Sequence, residues 1–96
     1  MGELSPIERK LLKARAHTLQ PVVLIGNEGL SSQVLGEIER ALNAHELIKV
    51  RAAAMDRHER ERTLITICAR TGAVPVEHIG KILVVYRKMP ESGRGR

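Results

Sequence analysis

Gly26, Asn27, Glu28 and Gly29 form a glycine-framed quartet between an apolar run (Val22 to Ile25) and a serine pair. Amides of such a loop, placed ahead of a helix N-terminus, can hold an anion. The quartet is therefore a candidate phosphate cradle, with a tight structural turn as the alternative. It lacks the Gly-Lys-Ser/Thr of a Walker loop and the third glycine of a dinucleotide fingerprint. Glu28 would repel a phosphate set against the loop tip. A second pattern is basic. If the segment after Ser5 is a helix, Arg9, Lys10, Lys13 and His17 share an arc about 100° wide. Lys49 and Arg51 alternate with Ile48 and Val50, which predicts a strand with one buried and one basic face. Solvated lysines and arginines are the plain alternative to a contact surface.

Catalytic and metal chemistry has little to build on. His-Glu pairs at 45–46 and 58–59 lack the second histidine of the zincin helix, and Cys68 has no neighbouring ligand pattern. Cys68 also falls on an apolar stripe, where a core role is expected rather than an activated thiolate. No nucleophile is paired with a base, so a small hydrolase is discounted. No cofactor, metal or small-molecule substrate is expected.

Composition narrows the partner. Sixteen Lys and Arg oppose eleven Asp and Glu among 96 residues, a formal charge of +5, which favours a polyanion. The excess lies in residues 1–20, 49–70 and 87–96, while 21–48 is net acidic. There is no Phe or Trp and a single tyrosine, Tyr86, so the aromatic stacking platforms of many RNA-binding sheets are excluded. Contact would run through phosphates, backbone amides and shape. No apolar run is long enough for a membrane helix, no secretory signal is visible, and a lone cysteine suits a reducing compartment. A cytoplasmic, monomeric protein without membrane partners is the expectation.

The elements that must position these residues can be read in order. Ser5, Pro6 and Glu8 predict a helix start with a capping box, and Ile7, Leu11 and Ala14 share an apolar face beside the basic arc. Pro21 closes that helix. Val22 to Ile25 reads as a strand apolar on both faces, hence internal to a sheet. Ser31 or Ser32 caps a second helix with Val34, Leu35, Ile38, Ala41 and Leu42 inward, ending near His45 and Glu46. The strand around Lys49 follows, and the crossover makes the two strands parallel. Asp56 opens a third helix whose apolar stripe holds Leu64, Ile65, Ile67, Cys68 and Ala69, and Gly72 ends it in a left-handed conformation. Two strands then flank a hairpin turn at Gly80 and Lys81. The expected fold is α/β of two-layer type, in the order α-β-α-β-α-β-β, with helices on a four-stranded mixed sheet. One domain spans 1–88, and 89–96 is a basic, flexible tail.

Three stretches, at 16–31 (AHTLQPVVLIGNEGLS), 45–51 (HELIKVR) and 71–87 (TGAVPVEHIGKILVVYR), resemble the CRM domain in its free-standing bacterial, YhbY-like form. The resemblance spans Ser5 to about Arg87. It implies a fold like the C-terminal domain of bacterial translation initiation factor three and an RNA-binding module. It implies work on precursors of the large ribosomal subunit; the plant members serve group II intron splicing, which a lone domain does not suggest. The family's G-x-x-G loop falls on Gly26 and Gly29. KH-type loops are often basic between the glycines, whereas this one holds Asn27 and Glu28, so contact would come from the backbone and Asn27. Lys10, Lys13, His17, Lys49 and Arg51 would then neutralise phosphates, with Lys81, Arg87 and Lys88 as further candidates. The rival reading is a protein-docking assembly adaptor with a merely solvated basic surface.

Overall fold

A computed structural model describes residues 4–89. The chain runs α1 (Pro6–Ala16), β1 (Pro21–Leu24), α2 (Ser32–His45), β2 (Leu47–Arg51), α3 (Arg57–Thr71), β3 (Val74–Ile79) and β4 (Ile82–Tyr86). This is the order the sequence predicts. The strands form one sheet in the order β1-β2-β4-β3. β1 runs parallel to β2, and the other two pairings are antiparallel.

Local chemistry sets the boundaries. At α1 the Ser5 amide donates to Glu8 Oε1 at 2.9 Å and the Glu8 amide to Ser5 Oγ at 3.1 Å, a complete capping box. Asp56 and Glu59 repeat the device at α3, at 3.0 and 2.8 Å. Ser31 is the cap of α2, receiving the Val34 amide at 3.2 Å. Gly72 ends α3 with φ 77°, the left-handed position that costs glycine no Cβ clash.

The sheet separates two unequal cores. On one face α2 and α3 cover Val23, Ile25, Ile48, Val50, Leu83 and Val85 with Ile38, Leu42, Leu64 and Ile67. Each fully buried aliphatic side chain there contributes about 1.5–3 kcal/mol. On the other face, among the described residues, α1 is the one helix that packs, with Leu12 and Ala16 set on Leu47, Val76 and Val84. The helices thus lie on both sides of the sheet, and α1 is a partial third layer.

Several expectations change at this level. β1 is an edge strand paired with β2 alone, not an internal one, and Val22 and Leu24 are 50% and 65% exposed. An unbroken apolar run reports side-chain type, whereas edge or centre is decided by which strands pair. In α1 the buried face is Leu12 and Ala16, while Ile7 and Leu11 point outward at 73% and 61% exposure. The helix carries two apolar arcs, and the one holding Leu12 and Ala16 packs on the sheet. Arg9 Nη1 donates to the carbonyls of Pro75 and Val76 at 2.6 and 3.1 Å, which ties the same side of the helix to β3. In α3, Leu64 and Ile67 are buried with Thr71, but Ile65 and Ala69 face out. The charged start of α3 hides the true phase of its stripe.

Candidate nucleic-acid interface

The Gly26 quartet follows directly from β1. The Ile25 amide still donates to the Arg51 carbonyl at 2.8 Å, so the loop leaves the sheet beside the end of β2. The Gly29 amide donates to the Gly26 carbonyl at 3.0 Å, closing a four-residue turn. Gly29 has φ 73°, and a Cβ there would also meet the Met55 methyl at 3.9 Å. Gly26 differs: a Cβ on it meets nothing within 4 Å, and its φ is not in the left-handed region. The segment is a tight turn, with Gly29 in its left-handed position and open space beside Gly26. Asn27 and Glu28, at the tip, are both exposed.

Two neighbours flank this turn at the same end of the sheet. The loop between β2 and α3 brings Met55 against Gly29, and the Ala52 amide donates to the Lys81 carbonyl at 2.8 Å, tying in the β3–β4 hairpin. Arg51 and Lys81 therefore sit near the glycine loop. Beside them, on the α1 face, Lys13 and His17 of α1, Lys49 of β2 and Glu77 and Ile79 of β3 line a groove of about 430 Å³. Lys13 and His17 flank the buried arc of α1, which is why they overhang the sheet. Lys10 is exposed on the same helix but does not line the groove. The side chains of Lys13, Lys49, Arg51 and Lys81 make no hydrogen bond or ion pair to another described residue.

Arg87 and Lys88 are not part of this gathering. They follow β4 at the far end of the sheet, where Tyr86 pairs with Leu47. That is roughly 13 Å along β2 from Arg51. Arg87 is committed: its guanidinium donates to Glu39 Oε1 and the Thr71 carbonyl at 2.9 and 2.8 Å and to Asn43 Oδ1 at 2.8 Å. It clamps α2 to the end of α3. Met89 donates its amide to Glu46 Oε2 at 2.8 Å, and the rest of the expected tail lies outside the described residues.

Arg60 is committed as well, and it braces the loop between β2 and α3 that lies beside the glycine turn. Its Nη1 donates to the carbonyls of Ala52 and Met55, and its Nε to His78 Nε2 at 3.2 Å. Because Nε2 accepts, His78 carries its proton on Nδ1 and donates it to Glu61 at 2.9 Å. Sequence reasoning missed this support, since nothing local distinguishes Arg60 from its neighbours. It also missed Arg62 and Arg70 of α3, which line a second, shallower groove with Leu30, Met55 and Glu59 on the other flank of the turn. Cys68 is half-buried, and burial pushes its thiol from the ordinary 9.0 up to about 11, the opposite of what a nucleophile needs. Among the described residues no three His, Cys, Asp or Glu side chains come together as a metal site, and no helix is long and apolar enough to cross a membrane.

Fold and site together define a small α/β domain with one half-uncovered basic sheet face beside an exposed glycine turn. The chain belongs to the CRS1 / YhbY (CRM) domain family, whose pattern it matches over residues 4–87. It is 47% identical over 92 residues to an RNA-binding protein of Haemophilus influenzae, covering 96% of this chain and 93% of that one. It is 42% identical over 91 residues to a probable RNA-binding protein of Pseudomonas aeruginosa, covering 95% and 88%. The solution structure of a hypothetical Staphylococcus aureus protein, proposed to bind RNA, superposes with a TM-score of 0.81 at 27% identity, covering 92% of each chain.

Proposed function

We propose that the chain is a non-catalytic RNA-binding protein that acts in the cytoplasm, as a monomer, on structured ribosomal RNA during maturation of the large ribosomal subunit. One observation carries the RNA contact: Arg51 and Lys81, at the end of the sheet that holds the exposed glycine turn, and Lys13 and Lys49, in the groove beside it, have no side-chain partner among the described residues. Gly26 lets the sugar-phosphate chain come close, and the neighbours supply the charge that Glu28 withholds. His17 and Lys10 extend the same surface along α1. Membership of the CRM family and the names of the relatives support RNA as the partner. The ribosomal assignment rests on the likeness to the YhbY-like proteins.

The test is crosslinking to RNA in cells, followed by sequencing of the attached fragments. Enrichment of large-subunit ribosomal RNA is expected, with loss of particle association after RNase treatment. Association that survives RNase would favour docking on a ribosomal protein instead. Fragments from messenger or transfer RNA would retain RNA binding and remove the ribosomal role.

A further inference from the structure

The α1 face of the sheet is only half covered, and the bare half has a definite composition. Leu24 pairs with Arg51, Arg51 with Ile82, and Ile82 with Ile79. These four residues form a cross-strand row spanning every strand, about 14 Å wide at the usual strand spacing. Leu24 is 65% and Ile79 57% exposed, on a domain small enough to need its aliphatic side chains inside. Arg51, in the middle of the row, is exposed and uncommitted. The row runs beside the 26–29 turn, with Lys81 at the hairpin tip and Lys13 and Lys49 one step back in the groove.

We propose that this row receives the bases of unpaired RNA, so that the domain recognises a loop, bulge or single strand rather than a continuous duplex. The proposal rests on the RNA-binding reading above and names the kind of RNA. A base presents two apolar faces and is linked to a phosphate, so it needs a surface that is apolar in the middle and cationic at the rim. The row supplies that combination: aliphatic side chains on either side of a guanidinium plane, which stacks on bases as aromatic rings do. A four-stranded sheet of this width accommodates two or three bases in other RNA-binding folds. A paired helix presents ribose and phosphate outward and would leave Leu24 and Ile79 against water or sugar. A protein partner would also cover an apolar row, but uncommitted cations around it favour a polyanion.

Binding is measured with a ten-nucleotide single-stranded RNA and with the duplex of the same sequence, across a series of salt concentrations. The wild-type protein should prefer the single strand. Leu24→Ser and Ile79→Ser, both at exposed positions, should each weaken single-strand binding by about fourfold or more, what covering one methylene is worth. Duplex affinity and the salt slope should stay unchanged. Arg51→Lys, which keeps the charge and loses the plane, should do the same. Equal or better duplex binding by the wild type, or unchanged single-strand binding by all three variants, would overturn the proposal while the RNA reading stands. That outcome would leave the face to a protein partner. A wild-type protein that binds neither RNA would sink both.

Discussion

The 26–29 turn has two flanks, and they differ in how far their aliphatic side chains are covered. On the α2/α3 side aliphatic side chains are sealed between helices and sheet, and Arg60 and Arg87 are tied to carbonyls and carboxylates. The remaining cations lining the groove there, Arg62 and Arg70, share it with Glu59 as Lys13 and Lys49 share theirs with Glu77, and they form no ion pair with another described residue. On the α1 side Val22, Leu24 and Ile79 stand in water, and the side chains of Lys13, Lys49 and Arg51 have no partner among the described residues. Satisfied polar groups over a buried core are what stability requires. Aliphatic surface left open beside unpaired cations contributes little to folding and is suited to a polyanion that arrives later.

The comparison breaks first in stability. Ile38→Ala, in the sealed core, should cost about 2–5 kcal/mol in urea unfolding. Leu24→Ala on the open face should change it by no more than about 0.5 kcal/mol. Similar losses at the two sites would mean that the faces are not different in kind.

Next comes Cys68, which packs against the sealed core. Its pKa is raised from 9.0 to about 11 by desolvation, so the folded state holds the thiol proton more tightly than the unfolded state does. At pH 8 the thiolate should be about a hundredfold scarcer in the folded protein, and iodoacetamide alkylation slower to match. The associated stability is present below pH 9 and fades as pH climbs toward 11. Equal alkylation rates in buffer and in denaturant would show that this side is open too.

The two glycines give a smaller and more selective effect. Gly29→Ala should cost about 1–2 kcal/mol of stability, because its positive φ disfavours a Cβ. Gly26→Leu should leave stability within about 0.5 kcal/mol of wild type and weaken RNA binding, because a side chain there would stand in the proposed path of the sugar-phosphate chain. Unchanged RNA affinity in the Gly26 variant would return the loop to being a turn and nothing more.

Much of this architecture is legible in the sequence because it is set locally. Ser5 with Glu8, Asp56, Gly72 and the Gly80-Lys81 turn each act within a few residues, and all sit where their chemistry places them. The alternation around Lys49 and Arg51 likewise survives into β2. What is hidden depends on partners far away in the chain. The inward arc of α1 packs on Leu47, Val76 and Val84, and Arg9 bonds to acceptors 66 and 67 positions away. The exposure of Leu24 follows from β1 having one neighbour, a property no window of sequence contains. Arg51 and Arg87 look equivalent as letters, yet one is uncommitted and the other clamps two helices. The basic face could therefore be foreseen in part, through Lys13, His17, Lys49 and Arg51, but its aliphatic row could not.

The central claim is that RNA lies on the α1 flank of the turn, and its salt dependence tests this most directly. Log affinity against log salt should be measured for the wild type, for Lys13→Ala with Lys49→Ala, and for Arg62→Ala with Arg70→Ala. Two lost phosphate contacts should lower the slope by about 1.4 in the first pair. The second pair should keep the wild-type slope. An unchanged slope in the first pair, or a fall confined to the second, would put the RNA on the other flank and contradict the account.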